Sequence, residues 1–267
     1  MSLIVASILV LMFLNLVLGS VSIPLKSVWN IICGLGDEPV TWQNIVWKSR
    51  LPQALTALVA GAGLAISGLQ MQTVFRNPLA GPSVLGISSG ASMGVAFVVL
   101  LSGSLGGVAL SKLGVMGEIA LSIAAVIGSL SVMALIVYVS QKVKGNVTLL
   151  IIGVMIGYVA NAVIGVLKFF SVEEDIRAYV IWGLGSFSRV SGNQMMLFVA
   201  IMAILIPLSF LLIKTLNLML LGDGYARNLG LNIKRARLLV ITSAGVLTAI
   251  VTAYCGPVIF LGLAVPH

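Results

Sequence analysis

Apolar residues fill this chain in long runs, and charged residues are confined to the gaps between them. Positions 1–25, 51–75, 77–111, 119–141, 145–167, 190–213 and 238–267 contain no Asp, Glu, Lys or Arg. A membrane-crossing helix needs about 20 predominantly apolar residues. The runs predict membrane helices at 3–22, 51–73, 88–101, 118–140, 147–169, 194–214 and 238–252. Cys255-Gly256-Pro257 breaks the seventh, and a short eighth segment runs to His267. The gaps predict aqueous loops. Residues 23–50 hold Trp29, Trp42 and Trp47, which fit an interfacial belt. Asn77-Pro78 and Gly81-Pro82 disfavour helix at 75–87. Residues 102–117 are rich in Gly and Ser. Residues 171–193 carry Glu173, Glu174, Asp175, Arg177 and Arg189. The most patterned gap is 216–237, a basic break that ends in Lys234, Arg235 and Arg237.

Within the runs, small residues recur at helical spacing. Gly61 with Ala65 and Gly63 with Ser67 let backbones approach closely in the second helix. Gly153, Gly157, Asn161 and Gly165 form one stripe on the fifth. Two readings fit this stripe, a helix-packing seam or a face lining a translocation pathway. Asn161 favours the pathway, because an amide in mid-membrane needs a partner or water.

Composition sharpens the class. The chain has 267 residues, 60% hydrophobic and only 8% charged, with 29 glycines, and its mean hydropathy is +1.17. A soluble domain carries about 25% charged residues. The chain therefore reads as an all-α integral membrane protein, with 1–267 as one transmembrane domain. Residues 3–22 lack a basic flank and a small-residue cleavage site, so they read as a retained helix. The net charge of +8 has no basic groove interleaved with aromatics, so nucleic acid is not a partner. Cys33 and Cys255 read as two separate buried thiols.

The gaps after the second, fourth and sixth helices hold Arg76, Lys142, Lys144, Lys214, Arg227, Lys234, Arg235 and Arg237. Their one acid is Asp223. The other face holds seven Lys/Arg and six acids, so the count decides orientation weakly. The density of basic residues at 234–237 makes that face cytoplasmic, and the N-terminus with it.

Catalytic chemistry is missing from the pattern. There is no Gly-x-x-x-x-Gly-Lys-Ser/Thr phosphate loop. One histidine and no Cys/His cluster make a metal site improbable. No pair of acids lies inside a membrane segment, which removes the usual machinery of a proton-coupled carrier. Lys168 reads as snorkelling from a helix end. If the chain transports, its energy comes from elsewhere. Gly222 and Gly230 bracket a helix of one to two turns, Ala226 keeps its surface flat, and Leu221 and Leu229 supply anchors. That pattern suits docking into a partner's groove. A connector resting on lipid headgroups fits the same residues.

Several ordered motifs resemble the FecCD family, the permease subunits of importers for iron chelates and cobalamin. They are Trp47-x-x-Arg50-Leu51-Pro52; Asn77-Pro78-Leu79-Ala80-x-Pro82-x-x-Leu85-Gly86-x-Ser88-x-Gly90-Ala91; Trp182-x-x-Gly185-Ser186-Phe187; Leu221-Gly222-Asp223-x-x-Ala226-Arg227-x-Leu229-Gly230; and Gly256-Pro257-x-x-Phe260-x-Gly262-Leu263-x-x-Pro266-His267. The resemblance implies a multi-helix bundle of the type II ATP-binding cassette (ABC) importer kind, in the bacterial inner membrane. About eight of an expected ten transmembrane helices would be present, the last two of the family being absent from 1–267. It implies a second permease subunit, two cytoplasmic ATP-binding subunits and a periplasmic or lipid-anchored substrate-binding protein. ATP and magnesium would reside on the partners, with no cofactor on this chain. Leu221, Gly222, Asp223, Ala226, Arg227, Leu229 and Gly230 would form the ATPase-coupling helix. Arg50 would dock the substrate-binding protein, with Asp37, Glu38 and the acids of 171–193 flanking that face. The stripe of Gly153, Gly157, Asn161 and Gly165 would line the pathway. The implied cargo is an iron chelate such as a siderophore or haem, with cobalamin as the alternative. An ATP-independent secondary carrier is the competing class. Gln53 replaces a family arginine, and Asp223-Gly224 replaces a glutamate and a larger residue, a change expected to loosen the start of the coupling helix.

Overall fold

The computed structural model describes residues 2–35, 38–104, 115–143, 145–190 and 192–266. Asp37, Lys144, His267 and most of the 102–117 loop lie outside the described residues. The described residues are helical and contain no strand. They cluster into two compact units. One comprises Met1–Val59 with Ser186–Ala200, the other Ala60–Gly185 with Ile201–His267.

The first unit begins with α1 (Ser2–Val17), α2 (Leu25–Cys33) and α3 (Val40–Ile45). Leu16, Ile23, Val28, Ile31 and Val46 make its small core. The segment 23–50, expected as an aqueous loop, thus holds two helices. A π turn at Val46–Arg50 then joins α3 directly to α4 (Leu51–Phe75), giving one helical run over Val40–Phe75. The cause lies in Pro52. Its ring has no N–H and collides with the carbonyl four residues back. The wider turn absorbs the conflict, and Leu51 N–H donates to Val46 O, five residues earlier.

The second unit contains the rest of α4, then α5 (Ile87–Ser104), α6 (Val115–Lys142), α7 (Asn146–Phe169) and α8 (Glu173–Gly183). Helix α9 (Gly192–Phe210) has its second half here. It is followed by α10 (Ile213–Leu220), α11 (Asp223–Asn228), α12 (Ile233–Cys255) and α13 (Leu261–Ala264). The sixth predicted helix is a broken pair: α9 contains Pro207, and α10 leaves it at 46°. The seventh starts earlier than expected, so Lys234, Arg235 and Arg237 form the first turns of α12. The polar segment 171–193, expected as a loop, contains the helix α8 and a 3-10 turn at Phe187–Arg189.

Four helical runs are long and apolar enough to cross a membrane: Val40–Phe75, Met116–Lys142, Val147–Phe169 and Ile233–Cys255. The bent α9–α10 pair makes a fifth, while Ser2–Val17 and Ile87–Leu101 are shorter apolar helices. Together these make a multi-pass helical membrane protein.

In membranes, helices associate through close packing rather than hydrophobic burial, and the second unit does so with glycine. A Cβ on Gly94 would lie 2.2 Å from Ala124 O, and one on Gly128 would lie 2.1 Å from Gly90 O. Helices α5 and α6 therefore cross with their backbones nearly touching. In α4, a Cβ on Gly63 would strike Met202 at 2.2 Å. Ser67 places its hydroxyl 2.7 Å from that of Thr248 on α12. Gly61 meets nothing closer than 3.9 Å, so only one of the two small-residue pairs in α4 marks a tight contact.

Candidate functional site

The patterned segment is built from local rules. Gly222 has φ 102°, a conformation that L-residues rarely adopt, and it sets the angle between α10 and α11. At the far end Leu231 N–H donates to Ala226 O and Gly230 N–H donates to Arg227 O. With Gly230 at φ 87°, this is a Schellman stop. Asn232 then starts α12, its Oδ1 accepting from Arg235 N–H. The two glycines that sequence spacing singled out thus fix both ends of the short helix.

Burial gives α11 two faces. Met219 and Ala226 are buried, and Met219 joins a core that also contains Met71, Leu85, Ile87 and Val240. Leu231 packs against the same core. Outward, Leu221, Tyr225 and Leu229 are each more than half exposed. Tyr225 lies within α11, Leu221 precedes the Gly222 turn and Leu229 caps the helix, so the helix and both its flanks carry an exposed apolar side chain. The sequence reading named the two leucines and missed Tyr225.

The acid at the head of α11 has a partner that sequence spacing did not reveal. Asp223 pairs with Arg76, whose guanidinium also donates to Met219 O at 3.4 Å. Arg76 ends α4 with φ 47°, the one described non-glycine residue with positive φ. The replacement at 223 therefore comes with a tie from the end of α4, not with a free helix start. Both side chains are over 40% exposed, so the pair adds at most about 1 kcal/mol to stability. Its contribution is positional.

Beyond Arg76 the chain makes a tight turn and a 3-10 segment at Pro82–Leu85, and Gly86 at φ 74° admits α5. This segment packs on α7. A Cβ on Gly153 would lie 2.8 Å from both Leu85 Cα and Val84 O, and one on Gly157 would lie 3.4 Å from Ser89 Oγ. Gly165 meets nothing within 4 Å, and Asn161 is exposed. The stripe on α7 is thus a packing seam at Gly153 and Gly157 and an open face at Asn161 and Gly165. Where the two regimes meet lies a groove of 290 Å³ lined by Ser83, Ser88, Ser89, Gly153, Gly157 and Asn161, among others. Hydroxyls and one amide are the polar groups offered there. Ser83 and Ser89 were not singled out from sequence, because isolated serines carry no periodic signal.

Arg50 is placed otherwise. It is only 5% exposed. Its Nη1 donates to Leu16 O at 2.7 Å and to Val17 O at 2.8 Å, and its Nη2 donates to Val21 O. It thereby satisfies carbonyls left open at the end of α1. Gly19 makes the room, since a Cβ there would lie 2.7 Å from the guanidinium. In this conformation Arg50 caps α1 from within the first unit, and it is not among the exposed cations that a docking partner would meet.

In the second unit, α8 opens with Glu173, Glu174 and Asp175 in its first turn. Asp175 is buried, and burial first, then the neighbouring Glu174 charge, raises its carboxyl above the ordinary value. Among the described residues no group of three potential metal ligands comes together.

The FecCD transport family matches residues 7–267. The hemin transport system permease protein HmuU of Yersinia pestis is 33% identical over 252 residues, covering 94% of this chain and 72% of its own length. The vitamin B12 import system permease protein BtuC of Serratia proteamaculans is 36% identical over 225 residues, covering 84% of this chain. This chain spans 64% of that relative's length. A solved structure, described as an inward-facing conformation of a metal-chelate type ABC transporter, superposes with a TM-score of 0.77 at 27% identity. The match covers 96% of this chain and 76% of that one.

Proposed function

Because this chain belongs to the FecCD transport family, we propose that it is the membrane-spanning permease subunit of an ABC importer for an iron chelate such as a siderophore or haem. The observation that carries the coupling part of this reading is α11. A helix of six residues, stopped by glycine at both ends, buries Ala226 and exposes Tyr225, with Leu221 and Leu229 exposed at its flanks. Such a face suits a hydrophobic cleft on a cytoplasmic ATP-binding subunit. ATP and magnesium belong to that partner, and this chain supplies no catalytic group.

Transmission follows from what α11 touches. Asp223 holds Arg76 at the end of α4, and the loop after Arg76 leads to the groove beside α7. Met219 and Leu231, flanking α11, share one packed core with Leu85 and Ile87, which alternate along the chain with the groove-lining Val84, Gly86 and Ser88. Packed cores are bistable rather than continuously deformable. Displacing α11 as the ATP-binding subunits close would therefore shift the 82–87 segment against Gly153 and Gly157, opening or closing the face that carries Asn161. The groove has few polar groups and no charge, which suits weak, transient contact with a bulky chelate. A second permease subunit would complete the pathway, and a substrate-binding protein at the periplasmic face of the bacterial inner membrane would deliver the cargo.

The haem-transporting relative supports the iron-chelate reading. The B12-transporting relative, at 36% identity, supports cobalamin as the second reading. Purified substrate-binding partner titrated with haem, ferric siderophores and cobalamin separates the two. The permease reading itself is tested by affinity purification of the tagged chain, followed by uptake assays on Arg227→Ala and Gly230→Ala. Recovery of an ATP-binding subunit and loss of uptake in both variants is expected. Recovery of none, with uptake unchanged, sinks it.

A further inference from the structure

We propose that the groove between α9 and α12 holds an anionic phospholipid, with its phosphate on Arg235 and Lys214 and an acyl chain along the helices. The groove measures 340 Å³ and is lined almost wholly by apolar side chains, among them Leu208, Leu211, Leu239 and Val246, with Ser243 and Thr242 at its wall. It exists because Pro207 and the 46° break after Phe210 swing α10 away from the line of α9.

Charge commits the occupant. Arg235 is one turn before Leu239 on the same face of α12. Lys214 follows the lining residues Leu211 and Leu212 across the break. Both cations are exposed, and neither has a carboxylate partner among the described residues. Arg237, half-buried nearby, leaves its Nε without a hydrogen-bond partner. Asp223, the single acid between residues 201 and 267, is already paired with Arg76. The cations also stand against their own helix. Lys234, Arg235 and Arg237 crowd the positive N-terminal end of α12, and no acid offsets them in its first turn. An anion placed there would relieve both the mutual repulsion and the unfavourable dipole.

Geometry fits a lipid better than a soluble anion. At 1.5 Å per residue, the lining from Leu239 to Leu247 extends about 12 Å along α12 and begins about 6 Å beyond Arg235. A phosphate held at the aqueous end therefore leads directly into an apolar channel, as in a phospholipid. Polybasic segments at a membrane surface select anionic lipid on the same grounds.

The test is native mass spectrometry of the full chain, purified in mild detergent and titrated in parallel with dioleoylphosphatidylglycerol and dioleoylphosphatidylcholine. Wild type is expected to retain one phosphatidylglycerol in preference to phosphatidylcholine. The double variant Lys214→Gln/Arg235→Gln should lower that preference by about fivefold or more, since each basic residue is worth about that factor. The control Lys26→Gln/Lys48→Gln, from the other unit, should leave it unchanged. Leu208→Trp fills the groove with the cations intact and should lose the retained lipid, its fold being checked by monodispersity and thermal unfolding. Equal preference in wild type and the charge variant overturns the proposal, as does an equal loss in the control. In a Cys33→Ser background, which removes the exposed native thiol, a Ser243→Cys variant that forms disulfide-linked dimers in place of lipid adducts assigns the groove to a second copy and overturns it as well.

Discussion

At the scale of single residues, arginines carry most of the information. Arg50 donates to three backbone carbonyls in a buried site. Hydrogen bonds from a charged donor contribute about 1.5–3 kcal/mol each, and buried carbonyls left open are costly. Arg50→Gln is expected to destabilise the first unit by about 2–4 kcal/mol, read as a lower thermal midpoint and faster proteolysis at the end of α1. Its role was half legible in sequence. The motif singled out the residue, but its partners lie 29 to 34 positions away on a loop end, beyond the reach of local pattern. Arg76 is the reverse case, an ordinary loop residue in sequence and the tie to α11 in the fold. Arg76→Glu should reduce uptake while changing stability by no more than about 1 kcal/mol, and the exchange Arg76→Glu/Asp223→Arg should restore it. Uptake that stays low in the exchanged pair would show that the contact is incidental. Asp175 supplies a pH prediction. Its folded-state carboxyl titrates above 3.8, its unfolded value. The folded state therefore holds its proton more tightly, and the stabilisation is fully present below that pH and is lost as pH rises through the raised value. Protection factors in α8, with the intrinsic base-catalysed exchange rate divided out, should fall as pH rises from about 4 towards neutrality, and Asp175→Asn should remove that fall.

At the scale of elements, glycine distinguishes contacts from open faces. Gly128 on α6 sits with its would-be Cβ 2.1 Å from Gly90 O on α5, whereas a Cβ on Gly165 of α7 meets nothing within 4 Å. Gly128→Val is expected to cost about 1–3 kcal/mol or more through overpacking. Gly165→Ala should be neutral or stabilising by up to about 1 kcal/mol, the ordinary helix preference. Thermal unfolding of the two variants side by side checks both. The sequence pattern could not rank these glycines, because small residues at four-residue spacing look alike whether a neighbour is present or not. It located the helices from 51 onward well, since apolar run length is a strong signal. It missed α2, α3 and α8, which are short and mixed in polarity, so that neither run length nor charge marks them. It also missed the continuity from Val40 to Phe75, because Lys48 and Arg50 end the uncharged run there while a π turn carries the helix through.

At the scale of the whole molecule, α11 is held to the core on one side and left bare on the other. Gly222 and Gly230 define it, Met219 and Leu231 anchor its flanks, and Asp223 ties it to Arg76. Gly222→Ala forces a side chain into φ 102°, at a cost of about 1–3 kcal/mol, and is expected to tilt the helix and impair coupling more than folding. The family was legible in sequence because its motifs are long and fall in order. The cargo was not, because the groove beside α7 offers only hydroxyls and one amide, a set that many large chelates could graze. The proposed coupling requires a partner ATPase to grip the bare side of α11. Photo-crosslinking measures this most directly, with p-benzoylphenylalanine at Tyr225 in cells carrying the complete importer. A covalent adduct with an ATP-binding subunit is expected, and none from the same probe at Leu135 on α6. No adduct at 225, together with normal uptake by a Leu221→Ser/Tyr225→Ser/Leu229→Ser variant, would contradict it.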